Sequence, residues 1–313
     1  MVDTNEYNEK KKYLLDLHIH TSNSDAEESP DVVIEKAKEA GLSLIAITDH
    51  NKFTFTTCKE VDGMLVIPGI EFSTEYYVPT RNETTEIHIV GIFPDGVNEL
   101  DFEDVFEDIG SGKEEYVTAI LEDLATRGIC ITMEEVYGVK RKCEHVGRHQ
   151  IAEILVNKGI EPNIDSAYDH QIGNFSPYYI PSTRYIHYAT MDIVIKKILE
   201  CGGIPCLAHP YGYMFNEEEI EQLIKHFKEV AGEKAAMEVF YERYLSDSSR
   251  MNFLRKMQKK YKILTSCGSD RHRPNQSFAT GGNKKIIDDM LFVLGSNIKL
   301  DDFVGGIKND RHL

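Results

Sequence analysis

Residues 13–21 read Tyr-Leu-Leu-Asp-Leu-His-Ile-His-Thr, an apolar run that ends in two histidines one residue apart. In a strand this spacing places His18 and His20 on the same face. Acidic and imidazole side chains also follow or end further apolar runs, at Asp25, Asp49-His50, Glu71, His88, His209 and Asp270-Arg271-His272. Imidazole nitrogens and carboxylate oxygens are ligands of multinuclear metal sites, and strand C-termini meet at one rim of a barrel. The pattern therefore predicts a metal site at the strand ends of a β/α fold.

Strands and helices alternate on both sides of a long central block. Short apolar runs predict strands at 13–17, 42–48, 65–68, 86–93, 204–208, 236–240 and 263–267. Amphipathic patterns predict helices at 31–40, 191–201, 217–230 and 246–261. This alternation is typical of a parallel β/α barrel of about seven strands, closed or slightly distorted.

The central block from residue 94 to 181 has a different character. It begins with an acidic stretch at 101–108, contains predicted helices at 113–127 and 148–158, and becomes loop-like and aromatic over 162–183. Little of it has a strand pattern. We therefore predict a barrel domain formed by 13–93 and 182–313, with an inserted helical subdomain at 94–181.

Composition and charge restrict the classes of function. The net charge of −17 opposes binding of long nucleic acid duplexes by a broad basic face, but it permits a small phosphorylated substrate. No apolar run approaches the roughly 20 residues of a membrane helix, and residues 1–12 form a polar lead-in without a signal core. These features indicate a cytoplasmic protein. Its cysteines are then expected to be reduced structural thiols: Cys58, Cys130, Cys143, Cys201, Cys206 and Cys267.

Taken together, the motifs resemble those of the PHP (polymerase and histidinol phosphatase) family of metal-dependent phosphoesterases. The resemblance rests on Asp-Leu-His-Ile-His-Thr, Ile-Thr-Asp-His, Pro-Gly-Ile-Glu-Phe-Ser, Ala-His-Pro and Gly-Ser-Asp-Arg-His, which extend from residue 16 to residue 272. It implies a distorted seven-stranded β/α barrel of the TIM type, with up to three metals at the strand C-termini.

The resemblance also implies a ligand set. His18, His20, Glu71 and Asp270 are expected to hold the first metal. Glu71 is expected to bridge to a second metal, together with His88 and His209, and Asp25, His50 and His272 to hold a third. Mixed ligation rich in histidine suits Mn, Zn or Fe better than Mg or Ca. Two or three such ions are the expected cofactors.

Within the family, the chain resembles the branch of 3′,5′-nucleoside bisphosphate phosphatases and 5′-to-3′ exoribonucleases. Gly147-Arg148-His149-Gln150 is similar to that branch's Gly-Arg-Pro-His segment, but His149 replaces its proline and Gln150 its histidine. After His209-Pro210, Tyr211-Gly212-Tyr213 replaces a motif with an arginine. Both departures remove candidate positive groups from the pocket.

These considerations predict a phosphoesterase in which a metal-bound hydroxide attacks a nucleotide, either a 3′,5′-bisphosphate or the 5′ end of a short oligonucleotide. Arg148, Asp270 and His272 are the predicted catalytic residues, and Arg148, His149 and Arg184 the predicted substrate contacts. Three alternatives remain open. They are a histidinol-phosphate phosphatase, an amidohydrolase-like enzyme acting on carbon–nitrogen or carboxylic ester bonds, and a non-enzymatic accessory module that binds metal.

Overall fold

A computed structural model of the chain describes residues 14–106, 109–110, 112–139, 146–281 and 286. The strands are β1 (Leu14–Ile19), β2 (Leu42–Ile47), β3 (Lys59–Val61), β4 (Met64–Val78), β5 (Glu83–Ile92), β6 (Ile204–Leu207), β7 (Ala236–Tyr241) and β8 (Leu264–Gly268). The helices are α1 (Pro30–Glu39), α2 (Glu103–Phe106), α3 (Lys113–Thr126), α4 (Met133–Val139), α5 (Arg148–Asn157), α6 (Ile164–Ala167), α7 (Met191–Glu200), α8 (Glu217–Ala231) and α9 (Ser248–Tyr261). The polar lead-in, Cys143 and nearly all of the chain after Gly281 lie outside the described residues.

The strands form one sheet that curls into a barrel. Its order is β1-β2-β4-β5-β6-β7-β8, and β3 pairs with β4 off this path. The ring is completed where Ile19 bridges Arg271, with the backbone N–H of His20 donating to the Arg271 carbonyl at 3.1 Å. The backbone N–H of Asp270 donates in turn to the His18 carbonyl at 2.9 Å. The predicted distorted seven-stranded barrel is therefore confirmed.

The expectation that all barrel strands run parallel is wrong at β5, which pairs antiparallel with both β4 and β6. β4 extends over 15 residues and returns through a short turn into β5. Such a short connection can join only antiparallel neighbours. As a result, Glu71 and His88 lie within long strands, opposite Val90 and Ser73 respectively, rather than at strand ends.

Alternation along the strands separates two apolar layers. In β2, Leu44 and Ala46 join a cluster with residues from all the barrel strands, which marks the barrel interior. Ile45 and Ile47 of the same strand pack with α1 on the outside. The helices α7, α8 and α9 cover the outer face of the opposite half of the sheet. The polar side chains of the motifs belong to neither apolar layer and lie at the open end of the barrel.

The block between β5 and β6 has an apolar cluster of its own, built largely from α3, α5 and the chain around them. Two features of this block were not predicted. Residues 133–139 form α4, and the segment expected to be a loop at 162–183 contains α6 and a following π-helical turn at Tyr168–Ile172. The boundaries of the inserted subdomain, 94 and 181, stay a prediction. Among the described residues, no helix combines the length and the apolar character needed to cross a membrane.

Candidate metal centre

Side chains from six strands and the loops after them meet at one end of the barrel. β1 supplies His18, and His20 and Asp25 follow it. The other predicted ligands come from the chain after β2 (His50), from β4 (Glu71), from β5 (His88), and from the chain after β6 (His209) and β8 (Asp270 and His272). The barrel thus gathers all the predicted metal ligands, although their role as ligands stays a prediction.

Glu71 lies at the centre of this cluster and is fully buried. Its Oε2 atom is 3.4 Å from Nε2 of His18, 3.2 Å from Nε2 of His20 and 3.0 Å from Nδ1 of His50. Its Oε1 atom is 2.9 Å from Nδ1 of His88 and 3.0 Å from Nε2 of His209. Each carboxylate oxygen therefore faces a different set of imidazoles, which is the arrangement expected of a bridging carboxylate.

Three groups of potential ligand atoms emerge from the described residues, each within a sphere small enough for one ion. They are His18, His20, Glu71 and Asp270; His20, Asp25, His50 and His272; and His50, Glu71 and His88. Within each group the ligand atoms lie within 4.8 Å of one another. The first group has the composition expected for the first metal. The other two differ from expectation, because His20 joins the Asp25 group and His50 is shared with the Glu71 and His88 group.

His209 is not a member of any of these three groups, but its contact with Glu71 makes it part of the centre. Its backbone has a φ of 25°, an uncommon conformation for a residue with a side chain. The backbone N–H of His209 donates to Oε2 of Glu238 at 2.7 Å, which holds the turn in place. Strained backbone of this kind is concentrated at functional sites.

Two observations indicate that the residues present are suited to bind a divalent metal. Among the buried side chains of the described residues, Nδ1 of His20 and Oε2 of Glu71 form no hydrogen bond. Buried polar atoms normally have a partner, so these two atoms are suited to bind an ion. The donor set of imidazole nitrogens and carboxylate oxygens is the one that Zn, Mn and Fe accept.

The electrostatics of the centre favour positive charge. Burial alone raises the pKa of the Glu71 carboxyl, but the His88 and His18 imidazoles lower it well below its ordinary value. For His88, burial lowers the pKa, yet Glu71 and Glu86 raise it to about 10. The Asp25 carboxyl, whose pKa burial would raise, is likewise lowered by His272 and His50. These carboxylates therefore stay charged and attract cations.

Asp49 organises the loop beside the centre. This buried carboxylate accepts hydrogen bonds from the backbone N–H and the hydroxyl of Thr21, both at 2.7 Å, and from the hydroxyl of Ser24 at 2.6 Å. The hydroxyl of Thr54 donates to it as well. Asp49 thereby fixes the chain between His20 and Asp25.

A cavity of about 550 Å³ opens onto the centre. Asp25, His50 and His88 of the barrel form one part of its lining, and residues of the inserted block form another. Three cationic side chains line it: Lys52, Lys113 and Arg148. Its tyrosines are Tyr116, Tyr168 and Tyr188. The volume suits a ligand of nucleotide size.

Of the three predicted substrate contacts, Arg148 is the best placed. It begins α5 and lines the cavity, where Nη1 donates to Oδ1 of Asn174 at 2.8 Å. His149 also lines the cavity, but Nε2 of its ring lies 2.9 Å from Oε1 of Glu153. Arg184 is exposed and is absent from the described lining. The geometry therefore supports Arg148 most strongly, and the roles of all three stay predictions.

Lys113 is a cavity residue that the sequence reasoning missed. It begins α3, and burial lowers the pKa of its ammonium group despite the nearby Glu86 and Asp25 carboxylates. Its position depends on Gly112, where an added Cβ would lie 1.8 Å from the Tyr185 carbonyl oxygen. One signal was available, because Lys113 is the only Lys or Arg between Arg81 and Arg127.

Comparisons with known proteins now identify the family. The PHP domain family matches residues 16–267. The chain belongs to the PHP domain family. A 5′-3′ exoribonuclease of Haemophilus influenzae is 27% identical over 282 residues, which cover 90% of this chain and 97% of that protein. A 3′,5′-nucleoside bisphosphate phosphatase of Chromobacterium violaceum is 25% identical, with 84% and 88% covered.

A solved structure from Bifidobacterium adolescentis, described as a metal-dependent phosphoesterase, has the same fold. Its TM-score is 0.66 at 21% identity, with 89% of this chain and 95% of that one covered. Together with the family and the curated relatives, these findings identify this PHP protein as a hydrolase acting on phosphoester bonds. They count against the amidohydrolase-like and the non-enzymatic alternatives.

Proposed function

We propose that this PHP protein hydrolyses a small phosphorylated nucleotide, either a 3′,5′-bisphosphate or the 5′ end of a short oligonucleotide, with two or three Mn, Zn or Fe ions. One observation carries the proposal. The cavity that opens onto the candidate metal centre is lined by Lys113 and Arg148 together with His50 and His88. A phosphorylated ligand in this cavity would meet both the cationic side chains and the centre.

The residues proposed to hold the metals are those of the centre: His18, His20, Asp25, His50, Glu71, His88, His209, Asp270 and His272. Divalent cations at such a centre neutralise phosphoryl oxygens, activate water and orient the attacking and leaving oxygens. The protein's own contribution is to fix the ligands, which it does by burying His18, His20 and Glu71 completely. Asp270 is held by the Tyr241 hydroxyl, which donates to its Oδ2 at 2.7 Å.

Arg148 and Lys113 are the groups proposed to bind the phosphate that does not react. A guanidinium can contact two phosphate oxygens at once, and an ammonium acts as a point charge. The Arg148 guanidinium lies 5.7 Å from the Tyr168 ring, and Asn174 orients it through a hydrogen bond. Arg148 is thus restrained in position before any substrate binds, so that less conformational entropy is lost on binding.

The tyrosines are proposed to accept the nucleoside part of the substrate. Tyr116, Tyr168 and Tyr188 give the cavity aromatic faces, on which a base can stack. Phe175 and Tyr178 are exposed, and neither belongs to the described lining of the cavity. Stacking is therefore assigned to the inner tyrosines rather than to the outer aromatic pair.

The relatives support a nucleotide substrate. The curated proteins to which the chain is similar include one named for a nucleoside bisphosphate and one named for RNA. The net charge of −17 supports a small ligand inside a locally cationic cavity over a long duplex on the surface. The cytoplasmic location stays a prediction.

A metal-replacement screen tests the proposal. The protein is stripped with a chelator, reloaded with Mn or Zn, and assayed for phosphate and nucleotide release. The substrates are 3′,5′-nucleoside bisphosphates, 5′-phosphorylated short RNA and histidinol phosphate. We expect the reloaded enzyme to act on the nucleotides and the stripped enzyme to be inactive. Exclusive action on histidinol phosphate would overturn the substrate assignment, and failure on every phosphoester would overturn the proposal as a whole.

A further inference from the structure

Glu238, on β7, contacts two of the candidate ligand residues, His18 and His209. Its side chain is almost fully buried, and both of its oxygens are occupied. Oε1 lies 2.7 Å from Nδ1 of His18, and Oε2 accepts the backbone N–H of His209 at 2.7 Å. A single carboxylate therefore connects ligands that arrive from β1 and from the chain after β6.

The backbone leaves room for this contact at Gly268, the last residue of β8. A Cβ added at Gly268 would lie 2.4 Å from Oε1 of Glu238 and 2.5 Å from Cβ of His18. Only a residue without a side chain lets the carboxylate and the imidazole meet at this point. The contact is therefore built into three neighbouring strands and does not result from one free rotamer.

Glu86, on β5, makes an equivalent contact with a third candidate ligand residue, His88. Its Oε1 lies 3.2 Å from Nε2 of His88, whose Nδ1 faces Glu71 at 2.9 Å. Its Oε2 accepts a hydrogen bond from the hydroxyl of Ser182. Unlike Glu238, Glu86 also lines the cavity beside Lys113 and Arg148.

We propose that Glu238 and Glu86 are positioning residues that determine which ring nitrogen each histidine presents to the metal. Glu238 holds the proton of His18 on Nδ1 and leaves Nε2 for the ion. Glu86 holds the proton of His88 on Nε2 and leaves Nδ1. A carboxylate behind a ligand histidine fixes the orientation of the ring and makes the imidazole a stronger donor. This inference rests on the metal-binding part of the proposed function.

The two carboxylates are expected to respond differently to an amide substitution. In Glu238→Gln, the amide can accept from His18 or from the His209 backbone, but its NH₂ group must face the other donor. In Glu86→Gln, the Ser182 hydroxyl can rotate to accept from the amide, so the hydrogen bonds survive and only the charge is lost. We therefore expect the larger effect at Glu238.

Zinc is the probe, because it is diamagnetic and leaves imidazole signals visible. In zinc-loaded protein labelled with ¹⁵N-histidine, we expect His18 to be protonated on Nδ1 and His88 on Nε2, with the other nitrogen of each bound to the ion. Protonation of the opposite nitrogens in the unaltered protein would overturn the proposal without any variant, so it remains testable even if Glu238→Gln fails to fold.

Zinc affinity of the variants, measured by competition with a chelator, provides the second readout. We expect Glu238→Gln to weaken zinc binding by about 10- to 100-fold, and Glu86→Gln to cause a decrease near the lower end of that range. The matched controls Glu233→Gln and Glu83→Gln alter exposed carboxylates near β7 and on β5, and they should bind zinc as the unaltered protein does. Folded variants with unchanged affinity and unchanged imidazole signals would overturn the proposal. Because neither readout uses a substrate, failure to hydrolyse phosphoesters would not be confused with failure of this inference.

Discussion

The two sides of the cavity are built differently. On the barrel side, His18, His20 and Glu71 are fully buried and held by strands that pair around the ring. On the inserted side, Lys113 and Arg148 begin separate helices, and the Arg148 guanidinium donates hydrogen bonds to Asn174 and to the Ile172 carbonyl. The barrel side thus has the rigidity that metal geometry demands. The inserted side presents positive charge, which suits phosphate oxygens rather than a metal ion. We expect changes on the two sides to separate metal binding from substrate binding.

Removal of the central carboxylate should have the largest effect. Glu71→Gln keeps the shape of the side chain but removes the charge that faces five imidazoles. Since metal catalysis contributes several kcal/mol, we expect kcat/KM to fall by about a thousandfold or more, with a reduced metal content. The measurement is steady-state hydrolysis together with elemental analysis, and Glu60→Gln, on an exposed part of β3, is the control. Full activity and full metal content in Glu71→Gln would contradict the bridging role.

The apolar clusters of the two sides can be tested separately. Leu155 is fully buried in the cluster of the inserted block, and Leu44 is 2% exposed in the barrel interior. Either leucine replaced by alanine should lower the free energy of unfolding by about 2–5 kcal/mol. We expect Leu155→Ala to weaken substrate binding while metal content is preserved, and Leu44→Ala to reduce metal retention. Thermal unfolding measures the loss of stability, KM measures substrate binding, and elemental analysis measures metal content. Equal loss of metal in the two variants would show that the inserted block is not an independent unit.

Arg148 provides the next comparison, from the inserted side. Loss of a charge-assisted contact costs about 1.5–3 kcal/mol, so Arg148→Ala should lower kcat/KM by roughly 10- to 100-fold. Most of the change should be a higher KM, and metal content should stay the same. Arg148→Lys should recover only part of the loss, since an ammonium lacks the planar fork of a guanidinium. The control is Arg250→Ala, because Arg250 pairs with Asp247 on the barrel exterior. Loss of metal in Arg148→Ala would show that changes on the two sides do not separate metal binding from substrate binding.

The difference between the barrel side and the inserted side also explains which features could be predicted from the sequence. Strand-end motifs such as His18-Ile19-His20 and Asp270-Arg271-His272 are local, so the barrel and its candidate ligands could be predicted from short patterns. Strand direction is not encoded in such patterns, and so the antiparallel course of β5 was missed. Lys113 becomes a site residue only when the inserted block packs over the barrel, and its role depends on contacts far apart in the chain. Glu86 is two residues from His88 on β5, but it lies outside the metal-ligand motifs.

The pH dependence of Lys113 is the smallest effect that we predict and the most selective for the inserted side. Burial lowers the pKa of its ammonium group, so the group loses its charge at a lower pH than an exposed lysine does. Phosphate is already fully ionised in this range, since its second pKa is about 6. KM should therefore rise with increasing pH, by up to about tenfold, as one charge-assisted contact is lost. Lys113→Arg keeps its charge and should remove the rise, whereas Lys52→Arg, at an exposed part of the rim, should retain it. A KM that rises equally with pH in the unaltered protein and in Lys113→Arg would assign the titration to another group and leave Arg148 as the principal cation of this side.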